Sequence, residues 1–170
     1  MNPDSSLGRR PLKAKLHTDG GARGNPGPAG IGVVLRDDSG RIIGEISRAI
    51  GETTNNVAEY TAVIEGLKLA LELEVTDIEV QIDSKLVVSQ LSGDWKIKSD
   101  GLRGLAVEAR RLLNRFSSAK LIHVGRAQNA DADKLVNRAL DAAQDLGPEW
   151  EPEEDDDRPR PGPGQTSLLD

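Results

Sequence analysis

Leu12-Lys13-Ala14-Lys15-Leu16-His17-Thr18-Asp19-Gly20-Gly21 alternates apolar and polar residues as far as Thr18, then sets a carboxylate before two glycines. Alternation with a period of two predicts a half-buried strand, and glycines beyond it let another backbone approach closely. Asp19 is therefore expected at the end of the first strand. Three more acids have comparable settings: Glu59 in Thr53-Thr54-Asn55-Asn56-Val57-Ala58-Glu59, Asp83 in Ile82-Asp83-Ser84, and Asp133 in Asn129-Ala130-Asp131-Ala132-Asp133. Glu59 and Asp83 fall, like Asp19, where a strand ends or a helix begins, and Asp133 falls in the first turns of a later helix. Converging carboxylates repel one another unless hard cations sit between them, and Mg²⁺ or Mn²⁺ suits such oxygen ligands. The chain reads as a metal-dependent phosphoryl-transfer enzyme.

Outward from Asp19, Gly20 to Pro28 is a glycine- and proline-rich turn. Gly30–Arg36 and Arg41–Ile50 read as two strands joined by a hairpin turn at Asp37-Asp38-Ser39-Gly40. Thr54 or Asn55 can cap a helix whose apolar residues run from Val57 to Leu71. Asp77–Asp83 is a strand, Ser84–Leu91 a helix, and Ser92–Asp100 a polar break. Leu102–Phe116 is helical, Lys120–Val124 a strand, and Ala130–Leu146 a last helix. The order β-β-β-α-β-α-α-β-α predicts an α/β fold: a mixed five-stranded sheet flanked by helices, since β-α-β crossovers pair strands in parallel.

With 170 residues the chain has room for one domain with a sizeable core. Residues 1–11 read as a flexible leader, 12–146 as the catalytic domain, and 147–170 as a disordered acidic, proline-rich tail with too little apolar surface to offset ordering. No apolar run approaches the length of a membrane span, and residues 1–10 lack the apolar middle of a signal peptide. Cysteine is absent, which rules out disulfides and thiolate metal sites. These features suit a cytoplasmic monomer.

The net charge of −6 argues at first against nucleic acid. From Gly147 onward, however, Glu149, Glu151, Glu153, Glu154, Asp155, Asp156, Asp157 and Asp170 face only Arg158 and Arg160. Removing these from the chain's 28 acids and 22 bases leaves 20 of each, so the domain itself is neutral. A neutral domain that spends acids on metals can present a basic face elsewhere.

Together the four acidic motifs, in this order and on these elements, resemble the type 1 ribonuclease H family, over roughly Leu12 to Ala143. The resemblance implies a ribonuclease H-like fold and hydrolysis of the RNA strand of RNA–DNA hybrids, leaving 3′-hydroxyl and 5′-phosphate. Asp19, Glu59, Asp83 and Asp133 become the ligands of two Mg²⁺ ions, replaceable by Mn²⁺. Taken alone, Glu59 could serve the helix dipole and Asp83 could cap the helix at Ser84. Asp131 competes with Asp133, but Asp133-Lys134-Leu135 fits the family pattern. Recognition of the RNA 2′-hydroxyl is implied for Gly20, Gly21, Asn25, Thr54, Asn55 and Asn56, because an asparagine amide both donates and accepts.

Two further positions carry catalytic expectations. His123 stands ten residues before Asp133, the spacing of a mobile histidine in many members, but it lies in a strand pattern. Arg126, seven residues before Asp133, matches an arginine found in members without that histidine and is the better partner for phosphate. Where well-studied bacterial members carry a basic helical protrusion, this chain has only Ser92–Gly101, with Trp95, Lys96 and Lys98 as candidate DNA-strand contacts. Double-stranded RNA is an alternative substrate, being A-like as well, and a catalytically silent hybrid-binding module would lack a carboxylate. Gln165-Thr166-Ser167-Leu168-Leu169 resembles peptides that hold a bacterial sliding clamp, with the tail as tether.

Overall fold

The computed structural model describes residues 10–145. Apart from Arg10 and Pro11, the leader lies outside the described residues, as do the tail and its clamp-like motif. The elements are β1 (Lys13–Ala22), β2 (Gly27–Asp37), β3 (Ile42–Thr53), α1 (Asn55–Glu72), β4 (Asp77–Ile82), α2 (Lys85–Leu91), α3 (Asp100–Leu113), β5 (Ser118–His123), a 3₁₀ turn (Arg126–Asn129) and α4 (Ala130–Asp145). The sheet order is β3-β2-β1-β4-β5. β1, β2 and β3 form an antiparallel meander, and β4 and β5 join in parallel. This is the mixed five-stranded sheet that the motif order predicts.

Two layers cover the sheet. On one face, Leu16, Val33 and Leu35 of the strands pack with Tyr60, Val63 and Leu67 of α1 and Ala106 and Ala109 of α3 in the main core. α4 crosses the other face over β2, where a Cβ at Gly32 would collide with the Ala132 carbonyl. Covered on both sides, β2 is buried from Ala29 to Leu35, which is why it reads as a continuous apolar run. Inside the main core, the Tyr60 hydroxyl donates to Gln90 Oε1 at 2.7 Å, tying α1 to α2. Arg110 Nη2 donates to the Gln90 carbonyl at 2.6 Å, adding α3.

Several boundaries differ from the sequence expectations. β1 continues four residues past Thr18, because Gly20, Gly21 and Ala22 pair with Ile31, Gly30 and Ala29 of β2. Asp19 therefore lies within β1, and the expected Gly20–Pro28 turn shrinks to Arg23–Pro26, closed by Arg23 N donating to the Pro28 carbonyl. The third helix starts two residues early and stops at Leu113, since Ser99 caps it by accepting from Leu102 N. The last strand runs from Ser118 to His123, its register set by parallel pairing to β4. The hairpin turn at residues 37–40 forms as expected: Asp37 Oδ1 accepts from Ser39 N and Arg41 N, and Gly40 adopts φ +90°. Among the described residues no helix is long and apolar enough to cross a membrane.

Candidate active site

The parallel pairing of β1 and β4 ends at Thr18 opposite Ile82. The next residue on each strand is Asp19 and Asp83, so two carboxylates emerge side by side about one strand spacing, roughly 4.8 Å, apart. Asp83 does not cap the following helix; Ser84 does, its Oγ accepting from Val87 N at 3.2 Å. The Asp83 carboxylate is thus left to the cluster. Glu59 arrives from α1, whose start is capped by Thr54 Oγ1 accepting from Val57 N.

Gly20 brings α1 close. A Cβ there would strike the Ala58 carbonyl and lie 2.7 Å from Glu59 N. This glycine is buried, and its missing side chain lets helix and strand approach. Gly21 has more room, with only Asn55 Oδ1 at 3.9 Å from its would-be Cβ.

Asp19, Glu59 and Asp83 each offer an oxygen within 4.8 Å of the others. Burial, then the Asp83 and Asp133 carboxylates, push the Asp19 carboxyl up to about 8. Burial, then Asp19 and Asp83, push Glu59 up to about 9, with the Arg126 charge opposing. Glu59 Oε1 is fully buried without a hydrogen-bond partner. Three crowded carboxylates with an orphaned buried oxygen are a donor set that fits a divalent cation and is costly without one. Asp133 is exposed on the first turns of α4 and outside this triad, but close enough to raise Asp19. Asp131 turns away to Arg36, 2.6 Å from its Nη2. His123 is exposed at the end of β5 opposite Ile82. Arg126, in the 3₁₀ turn, is the basic group whose field reaches Glu59.

The asparagines form a tie between the β1–β2 turn and α1. Asn25 Oδ1 accepts from Asn55 N at 3.0 Å, and Asn55 Oδ1 accepts from Ala22 N at 2.8 Å. Both amide oxygens are engaged by backbone N–H groups. Asn56 is half-buried beside them. Trp95, 46 % exposed, sits in the segment between α2 and α3 with Lys85 Nζ 5.9 Å from its ring centroid. Lys96 and Lys98 are exposed in the same segment. Lys85 was not singled out in the sequence, since a lysine opening a short helix carries no signal there.

Asn129 is the site residue the sequence hid. It is 1 % exposed, and its Nδ2 donates to the Thr18 carbonyl at 2.7 Å and lies 3.4 Å from Asp83 Oδ2. An asparagine before a helix reads as a cap, and nothing local reveals a partner 111 positions away.

A sheet whose neighbouring parallel strands deliver carboxylates to one point defines a class of metal-binding α/β domains, and comparison with known proteins narrows it. A family model described as reverse transcriptase-like matches residues 17–139. The chain is 48 % identical over 133 residues to the bifunctional protein Rv2228c of Mycobacterium tuberculosis, covering 78 % of this chain and 36 % of that protein. The chain thus spans about a third of that curated relative's length. The solved RNase H1 of Halobacterium salinarum is 45 % identical with TM-score 0.74, over 79 % of this chain and all of that one. LC11-RNase H1, from compost, solved in complex with an RNA/DNA hybrid, is 44 % identical with TM-score 0.72, over 77 % and 99 %. The chain belongs to the ribonuclease H family.

Proposed function

We propose that this chain is a type 1 ribonuclease H, a cytoplasmic monomer that hydrolyses the RNA strand of RNA–DNA hybrids and leaves 3′-hydroxyl and 5′-phosphate ends. The observation that carries the proposal is the triad of Asp19, Glu59 and Asp83, converging within 4.8 Å, with the Asp19 and Glu59 carboxyls pushed up to about 8 and about 9 by burial and the neighbouring carboxylates. The hybrid bound in the LC11-RNase H1 structure supports the substrate class. Two Mg²⁺ ions, with Mn²⁺ as substitute, would supply Lewis acidity at the scissile phosphate and a more acidic water.

The chain's own residues supply the rest. Asp19, Glu59 and Asp83 would hold the cations through their carboxylate oxygens, and Asp133 would complete the set from α4. Arg126 offers fixed positive charge to the phosphate as negative charge builds up there. Asn25 and Asn55 present amide donors to the ribose edge, with Thr54, Gly21 and Asn56 shaping that surface. Trp95, with Lys85, Lys96 and Lys98, forms a stacking and phosphate-contacting platform for the DNA strand.

Matched labelled RNA–DNA hybrid, double-stranded RNA and DNA duplex, incubated with Mg²⁺ or Mn²⁺, test the proposal. Cleavage confined to the RNA strand of the hybrid is expected. Cleavage of double-stranded RNA at a comparable rate would broaden the substrate to A-like duplexes. An uncut hybrid in both metals would leave only the silent binding module.

A further inference from the structure

Asn129 connects the two strands that carry the paired aspartates. Its side chain enters from the 3₁₀ turn between β5 and α4 and is almost fully enclosed. The atom 2.7 Å from the Thr18 carbonyl must be the NH₂, because an amide oxygen there would face another oxygen. The same nitrogen lies 3.4 Å from Asp83 Oδ2. One donor group therefore spans from the peptide just before Asp19 to the carboxylate of Asp83. Among the described residues no other side-chain hydrogen bond reaches Asp83. Asn129 Oδ1 is buried with no hydrogen-bond partner, and His17 is the titratable side chain beside it. The nitrogen end of the amide is the end that is held, and it serves the cluster.

We propose that Asn129 is a positioning residue for the carboxylate cluster: its amide fixes the separation and orientation of Asp19 and Asp83 before any cation arrives. Without it, the Asp83 carboxylate is free to swing from its neighbours to relieve the repulsion that raises Asp19. Binding would then have to restore the arrangement, which lowers affinity. The inference rests on the cation reading of the triad given above.

Isothermal titration of cation-free protein with Mn²⁺, and separately with Mg²⁺, tests it without any turnover. Asn129→Ser and Asn129→Ala are compared with Leu112→Ala, a core truncation in α3 that loosens the fold away from the cluster. The expected result is a cation affinity weaker by about 10-fold or more in both Asn129 variants, the scale typical of residues that orient metal ligands. Leu112→Ala should keep wild-type affinity. Nuclear magnetic resonance of the wild type adds a reading independent of any variant. The Asn129 side-chain amide signals should move on Mg²⁺ addition with the same midpoint as the Gly20 backbone signal. Wild-type affinity in a folded Asn129 variant, or amide signals indifferent to Mg²⁺, would overturn the positioning role and leave the cation site standing. No saturable uptake by the wild type would overturn both.

Discussion

Burial and crowding hold the Asp19 and Glu59 carboxyls well above their ordinary values in the cation-free protein, which ties function to stability residue by residue. Asp83→Asn keeps the shape of the side chain but removes one of the charges that raise Asp19 and Glu59. Hybrid cleavage in Mg²⁺ should fall by about a hundredfold or more, while the cation-free protein should melt at a higher temperature at pH 8 than wild type. Gel-based cleavage and thermal melts in chelator check the two halves. Activity within tenfold of wild type would remove Asp83 from the site. The two basic candidates separate on the same logic. Arg126 is close enough to oppose the rise in Glu59, whereas His123 sits exposed at a strand end. Single-turnover rates should therefore drop further for Arg126→Ala than for His123→Ala, and the reverse order would restore a histidine role. At this scale the flanking residues pointed to Asp19, Glu59 and Asp83 as converging acids, which the fold brings within 4.8 Å of one another. It did not show Asn129, whose importance comes entirely from a contact made across the fold.

At the scale of elements, glycines mark where backbones meet, and two of them should respond in opposite directions to the same change. Gly20→Ala drives a methyl group into the Ala58 carbonyl, so α1 must move off β1 and take Glu59 with it. A loss of about 1–3 kcal/mol is expected from such overpacking, together with weaker cation binding. Gly104 lies exposed in α3 with nothing within 4 Å of its would-be Cβ. Gly104→Ala should stabilise the protein by about 0.5–1 kcal/mol through helix propensity alone. Urea unfolding of both variants gives the signs, and a stabilised Gly20→Ala would mean that α1 is not packed as described. The alternation from Leu12 to Thr18 and the apolar run from Val57 to Leu71 made β1 and α1 legible, because the core takes up most of these residues. The glycine- and proline-rich stretch after Asp19 misled, because local composition signals a turn while pairing with β2 keeps residues 20–22 in the strand. Ser84 and Ser99 as caps were missed for a related reason: several acceptors stood near each helix start, and only the backbone geometry selects one.

For the molecule as a whole, the raised carboxyls make stability depend on pH in a direction that can be worked out. Asp19 and Glu59 titrate at about 8 and about 9 in the fold, above their ordinary values of 3.8 and 4.5. Between those limits the folded state holds protons that the unfolded state has released. The stability they contribute is therefore fully present below about pH 4 and is lost as pH rises through 8 and 9. His17, lowered first by burial and then by Arg36, acts the other way, costing stability as pH falls below 6.5. The clean window for the cluster is thus pH 7 to 9.5, where a neutral His17 no longer contributes and Tyr60, pushed up to about 12 by burial, has not begun to ionise. Chelator-treated protein should lose urea resistance as pH rises from 7, with the loss levelling off past the folded values of about 8 and about 9. Saturating Mg²⁺ should flatten the curve, because the cation replaces the protons that compensate the carboxylates, so the stabilisation gained on adding Mg²⁺ should grow with pH. Asp83→Asn should have a shallower slope than wild type in chelator. A flat profile for the cation-free wild type would mean that Asp19 and Glu59 ionise beside Asp83 at no cost, which is incompatible with their convergence within 4.8 Å.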